Sequence, residues 1–269
     1  MDVSSLDWNG IWREIQEKRT IRPKDSKGWD RRAPSFARHA GKSDYIGQFL
    51  QIMQPERHWR VLDVGSAAGT LAVPLAGRVT SITAMDPSSV MRSLLEERCR
   101  QEGISSIRIV NGRWEDDWEE LGIEVHDVAI ASRSLLIEDP RWAIEKLSRY
   151  ASRRIYVSTI VKDGPFDRRL IEATGRSFHP GADYIYLVNL LYQMGILAHV
   201  AFTVHEENRT YRDFEEAVEA MRWMVDPMTS EEEALLRNYL SRTLVATDGY
   251  WRLPCPRKVR WAVLWWDKA

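Results

Sequence analysis

The rhythm of apolar and polar positions changes at Arg60. Before it, "LDWNGIWREIQEKR" sets Leu6, Ile11, Trp12 and Ile15 at near-helical spacing. "SDYIGQFLQIM" does the same with Tyr45, Ile46, Phe49 and Leu50, behind Ser43 as the expected N-cap. From Arg60 onward, short apolar runs ("RVLDVG", "SITAMD", "SIRIVNG", "HDVAIAS", "RRIYVST") alternate with amphipathic ones ("TLAVPLAG", "SVMRSLLEERCRQEG", "PRWAIEKLSRYA"). Strand-length runs separated by helix-period runs predict βαβ units, a parallel sheet and right-handed crossovers.

Past Thr159 the alternation loosens. "ADYIYLVNLLYQMG" reads as a helix closed by Gly195, and "AHVAFTVHEE" as a strand. Helices are predicted over "TYRDFEEAVEAMRWMV" and "TSEEEALLRNYLSRTL". A capping box opens the second, either Ser230 with Glu233 or Thr229 with Glu232. "DGYWRLPCPRK" is a linker candidate. In the closing "KVRWAVLWWDK", Val259, Trp261, Val263 and Trp265 share one face, and Ala262, Leu264 and Trp266 the other. That pattern predicts a strand covered on both sides. The chain therefore divides into a helical cap (1–56), an α/β core (57–207), a helical insertion (208–256) and a last core strand (257–269). No internal repeat is visible.

Composition narrows the classes. A length of 269 residues suits one large α/β domain or two small ones, and 44% hydrophobic content is ordinary for a packed core. A net charge of −1 provides no global field for nucleic acid or anionic membranes. Two cysteines, Cys99 and Cys255, form neither a disulfide framework nor a C-x-x-C pair, so we expect a reducing compartment and no structural zinc site; no set of acids and an amide is grouped near the strand ends either, so no metal is expected. The N-terminus carries no apolar signal core, and no run is long enough for a membrane span, so a cytoplasmic location is expected. One local exception is the arm from Glu17 to Lys42, with nine Lys/Arg against three acids.

Candidate chemistry centres on "RVLDVGSAAGTLAVPLAGRVTSITAMDPSS". The first strand runs into Gly65, Ser66, Ala67, Ala68 and Gly69, where small residues let a ligand approach the backbone and the next helix points its N-terminus. Asp86 ends the second strand 21 residues beyond Gly65, where a carboxylate can accept from ribose hydroxyls. A dinucleotide G-x-G-x-x-G fits poorly, because Ala67 and Thr70 stand at its second and third glycines. A pyrophosphate would also be repelled by Asp63.

Asp63, Gly65 and Gly69, with Ala67 at the middle glycine, instead resemble motif I, D-x-G-x-G-x-G, of the class I S-adenosylmethionine (SAM)-dependent methyltransferases. The resemblance covers residues 57–160. It implies a doubly wound, mostly parallel seven-stranded Rossmann-like α/β sheet, with an antiparallel last strand beside the sixth. It also implies SAM as cofactor and S-adenosylhomocysteine as product. "AMDPSSVM" resembles motif II, with Asp86-Pro87 at the ribose and Met91 against the adenine. "NGRWEDDW" would cover the adenine edge. Arg113 holds the usual acid position there, so Trp114 is expected to stack and Glu115 or Asp116 to accept from the amino group. "HDVAIASRSLL" resembles motif IV. It lacks the Asp/Asn-Pro-Pro-Tyr/Phe of enzymes that methylate base or glutamine amino groups. Ser132 is expected to touch the cofactor and Arg133 an anionic substrate. "WDRRAPSFA", "IASRSL" and "DYIYLVNLLYQMG" with the Trp-rich close resemble a microbial group of these methyltransferases without an assigned substrate.

No residue is assigned as catalytic. His39 and His179 are candidate bases. Tyr45, Trp29 and Arg32 are candidate cap residues facing the ligand. Tyr184, Tyr186, Asn189 and Tyr192 lie where a floor to the acceptor pocket is expected. The substrate set is thus Tyr45, Arg133, His179 and Tyr186. The expected activity is methyl transfer to a small molecule. RNA or protein methylation through the basic arm and a non-catalytic SAM-binding module are the alternatives. Oligomeric state is not legible.

Overall fold

The structure is a computed structural model describing residues 5–21, 25–40, 44–135, 137–207 and 210–268, without the side chains of 34–40 and 223. The N-terminal helices are α1 (Trp8–Glu17), α2 (Ser26–Ala40) and α3 (Tyr45–Met53). The core follows as β1 (Arg60–Val64), α4 (Ala72–Leu75), β2 (Ser81–Met85), α5 (Ser89–Glu102), β3 (Ile107–Val110), β4 (His126–Ser132), α6 (Pro140–Arg149), β5 (Ala151–Ile160), α7 (Arg168–Ala173), α8 (Tyr184–Gln193) and β6 (His199–Glu207). Then come β7 (Thr210–Tyr211), α9 (Phe214–Arg222), α10 (Ser230–Thr243), β8 (Val245–Thr247), β9 (Tyr250–Arg252) and β10 (Arg257–Asp267).

Seven strands form one sheet in the order β3-β2-β1-β4-β5-β10-β6. β1 pairs in parallel with β2 and β4, and β4 with β5. β10 is antiparallel to both β5 and β6. The chain winds outward from β1 to β3, then returns to start β4 on the other side of β1. That reversal opens a crevice at the carboxyl ends of β1 and β4. Asp63 pairs with both Ala84 and Ile130, which levels Gly65 with the tips of β2 and β4.

Strand residues divide between two cores by simple alternation. Leu62, Val64, Ala129, Ala131, Ile155, Val157, Ala262 and Leu264 pack with residues of α1, α6 and α8. Val61, Val128, Ile130, Tyr156, Val259, Trp261 and Val263 pack with Tyr45, Phe49 and Met53 of α3. The two faces of β10 are split as its pattern predicted.

Three local readings need correction. The stretch after β1 was expected to be a helix aimed at the ligand, but α4 has only four residues and starts seven beyond Gly65. Pro74 within it has no N–H to extend the ladder, and Gly77 follows directly. α3 is preceded by Asp44, which makes no side-chain capping bond; Ser43 lies outside the described residues. Segment 208–256 was expected to be helical. It carries α9 and α10, but also β7, β9 and β8, which form a three-stranded sheet across the supposed linker. Its capping box is Thr229 with Glu232.

Candidate active site at the tips of β1, β2 and β4

The turn after β1 is built on backbone that resists side chains. Gly65 and Gly69 have φ of +75° and +76°, and Ala67 has +49°. A Cβ on Gly65 would lie 2.4 Å from Ser134 Cβ, and one on Gly69 2.4 Å from Leu95 Cδ1. Ala67 therefore carries the left-handed conformation that a glycine would adopt without strain. The N–H groups of Gly65 and Ser66 donate to the Met85 carbonyl at 2.8 and 3.1 Å, and Ala67 N–H donates to Asp86 Oδ2 at 2.8 Å. The other Asp86 oxygen accepts from Ser88 N–H at 2.9 Å. Each oxygen keeps a lone pair for a further donor.

Inside the turn, polar atoms lack partners. Asp63 is 2% exposed, Ser66 3% and Thr70 7%. Asp63 Oδ2, Ser66 Oγ and Thr70 Oγ1 have no hydrogen bond. Buried polar atoms are ordinarily satisfied, so three around one turn form a cradle that wants donors. Burial, reinforced by repulsion from Asp86 and opposed by Arg133, raises the Asp63 carboxyl to about 7. Burial also raises Asp86, against the pull of its two backbone donors. Two carboxyls at one crevice suit a ligand with an ammonium and vicinal hydroxyls and disfavour a phosphate.

Helix α2 lies over this turn. Ala33 and Met91 are buried in one cluster with Ala68, and Trp29 packs against it. Asp30 Oδ1 accepts from Ser88 Oγ at 2.5 Å and from Val90 N–H at 3.2 Å, fastening α2 to the first turn of α5. Arg32 stacks on Trp29. Pro87 lies half-buried between Asp86 and Ser88.

The loop after β3 is held from α6. Lys146 Nζ donates to the carbonyls of Trp114 and Asp116 at 2.8 and 2.6 Å and lies over the Trp118 ring. Trp114 is buried, and its Nε1 donates to the Ser134 carbonyl at 3.3 Å. Glu115 is exposed, whereas Asp116 accepts Arg113 N–H at 2.8 Å.

On the opposite flank, Tyr45 Oη is 2.7 Å from both Ser132 Oγ and Ser158 Oγ. Ser132 Oγ is thus turned toward α3. Arg133 follows with φ +57°, its N–H donating to the Ser158 carbonyl at 3.0 Å. The guanidinium lies 4.3 Å from the Tyr45 ring centre and 5.3 Å from that of Trp261. The structure thus brings Tyr45 and Arg133 together and leaves the other two substrate candidates apart. His179 is exposed and joined through its backbone to Thr20, and Tyr186 packs edge-on to Trp8 of α1. The His39 side chain lies outside the described residues.

Sequence reasoning passed over Asp30, Ser134 and Ser158. Asp30 was counted only as one acid in a basic arm. Ser134 in "ASRS" had a signal, a small residue two beyond the strand tip, facing a glycine. Ser158 had none, since a serine in a strand says nothing about its partner. Among the described residues, no group of three or more His, Cys, Asp or Glu is arranged to hold a metal, and no helix is long and apolar enough to cross a membrane.

A mostly parallel sheet with this strand order, an antiparallel strand before its edge and a glycine turn facing two carboxyls at its switch point defines a doubly wound, Rossmann-like α/β protein. Residues 61–153 match the family described as "Methyltransferase domain". A Haemophilus influenzae protein described as uncharacterized is 30% identical over 243 residues, covering 89% of this chain and 88% of its own. A Bacillus halodurans structure described as a methyltransferase superposes with a TM-score of 0.56 at 15% identity, covering 83% of this chain and 98% of its own. The Bacillus subtilis protein YcgJ gives 0.52 at 13%, covering 83% and 97%. The chain thus carries a methyltransferase domain on the Rossmann-like fold of the SAM-dependent methyltransferases.

Proposed function

We propose that the protein methylates a small molecule at the crevice between the glycine turn and the Tyr45–Arg133 flank. SAM, when bound, supplies an electrophilic methyl on a sulfonium, and the chain supplies orientation and a dry site. Asp63, with its unpartnered oxygen, is suited to the α-ammonium group. Ser66 and Thr70 are suited to the remaining polar atoms of the amino-acid moiety. Asp86 is suited to the ribose, with lone pairs to spare beyond its two backbone bonds. Met91 and Trp114, both buried beside the turn, are suited to the two faces of the adenine, with Asp116 or Glu115 at its edge. The observation that carries this reading is the set of unsatisfied buried atoms on Asp63, Ser66 and Thr70 around one glycine turn.

Helix α2 across the turn supports a small acceptor over a polymer. Ala33 is fully buried there. Such a cover excludes water and suits a substrate that enters the crevice whole. The reading relies on alignment of an acceptor that is already nucleophilic.

Thermal shift tests the cofactor assignment. S-adenosylhomocysteine at about 100 times its dissociation constant stabilises by roughly 2.7 kcal/mol, while NAD at the same concentration leaves Tm unchanged. A response to NAD alone would reject the reading. Methyl transfer is then sought with labelled SAM across small-molecule and RNA acceptors. Labelling confined to RNA would reject the small-molecule acceptor.

A further inference from the structure

Arg133 is a cation without an anion. Among the described residues its guanidinium has no hydrogen-bond acceptor and no ion pair. It lies against the faces of Tyr45 and Trp261, and Asp63 is the carboxylate whose charge reaches it. Its left-handed backbone is a strained choice for a side chain of this size, and is held by Ser158. A half-buried guanidinium with no acceptor among the described residues suits a compensating ligand.

A second observation on neighbouring strands points the same way. Trp261 and Thr203 are register partners on β10 and β6, so their side chains share a face of the sheet, and His205 lies two residues along on that face. Trp261 is 7% exposed and Thr203 fully buried. Trp261 Nε1, Thr203 Oγ1 and His205 Nδ1 are all buried without a partner. Tyr45 covers the same face, edge-on to Trp261. A buried indole N–H ordinarily finds an acceptor. Here an indole donor, a hydroxyl and an imidazole nitrogen accompany an unpaired guanidinium.

We propose that this group is an oxyanion subsite through which the enzyme recognises its acceptor, a planar molecule bearing a carboxylate or phosphate. The inference rests on the methyltransferase reading for the word acceptor, but the subsite stands on its own geometry. The guanidinium fork suits two oxygens side by side, and the Tyr45 and Trp261 rings offer apolar surface to the body that carries them. The anion neutralises Arg133 and accepts from Trp261 and Thr203.

The test is an amide-region NMR titration of the ¹⁵N-labelled full chain, with the Trp261 indole resonance assigned by its loss in Trp261→Phe. Benzoate and phenyl phosphate distinguish the two oxyanions, and benzamide is the neutral isostere. At least one anion is expected to shift the Trp261 resonance saturably, with no shift from benzamide. Arg133→Gln is expected to weaken the anion about tenfold or more, as for a lost hydrogen bond to a charged group. Thr203→Val is expected to weaken it by a smaller factor and decides the matter if Arg133→Gln does not fold. An equal response to benzamide, or unchanged affinity in the folded variant, would overturn the proposal. Calorimetry with S-adenosylhomocysteine on the same samples separates the two readings. Cofactor binding without an anion response removes the subsite alone. An anion response without cofactor binding removes the methyltransferase reading.

Discussion

The backbone N–H of Ala67 is 2.8 Å from Asp86 Oδ2, joining the turn after β1 to the end of β2. The same carboxylate takes Ser88 N–H, so one side chain shapes both loops of the crevice. Asp86→Ala leaves two buried N–H groups unsatisfied, at about 1–3 kcal/mol each. We expect a lowered Tm and S-adenosylhomocysteine affinity reduced beyond detection by calorimetry. Asp86→Asn keeps an acceptor and is expected to retain part of the affinity. Unchanged binding in Asp86→Ala would place the ribose elsewhere.

The proposed seat of the cofactor's ammonium at Asp63 predicts an affinity that depends on pH. Its carboxyl, held at about 7 chiefly by burial, is largely protonated at pH 6 and ionised at pH 8. Only the ionised form attracts an ammonium. Affinity is therefore expected to rise from pH 6 to 8, with proton release on binding near pH 6. Asp63→Asn should bind more weakly at pH 8 and lose this dependence, as calorimetry in buffers of different ionisation enthalpy will show. The ligand-free fold shows the opposite sign. An unfolded aspartate ionises near 4. Between that value and about 7 the unfolded chain holds fewer protons, so this group lowers stability as pH rises.

Ala67 and Gly65 respond to substitution in opposite directions. Ala67→Gly relieves left-handed strain of roughly 1–2 kcal/mol. It adds unfolded-state entropy of roughly 0.5–1 kcal/mol. The balance favours a modest rise in Tm with cofactor affinity kept, measurable by calorimetric scanning. Gly65→Val has strain and collision together, since its Cβ would meet Ser134. We expect a fall in Tm and no cofactor uptake; retained uptake would show that the turn does not carry the site.

Asp30 fastens α2 to α5 through Ser88 and Val90. Asp30→Ala is expected to speed hydrogen exchange in α2 over residues 26–33 while the amides of β1 and β4 keep their protection. Equal protection of α2 in both proteins would show that the packing of Trp29 and Ala33 suffices.

The sequence alone determined the alternation of strands and helices, the two faces of β10 and the line from Asp63 through Gly65 and Gly69 to Asp86. These are local properties. Strand period, turn chemistry and the length of one βαβ unit are written in neighbouring residues. It did not show β8 and β9 of the insertion, whose three-residue strands are too short for an alternating pattern. Nor did it show that Pro74 would cut α4 to one turn. Tertiary structure decided which distant side chains meet. Placing β10 between β5 and β6 brings Trp261 to Arg133 with Thr203 beside it in register, and folding α2 back over α5 brings Asp30 to Ser88. Such meetings depend on strand order and helix packing, which are settled by the burial of whole faces and leave no mark at the individual residues they join.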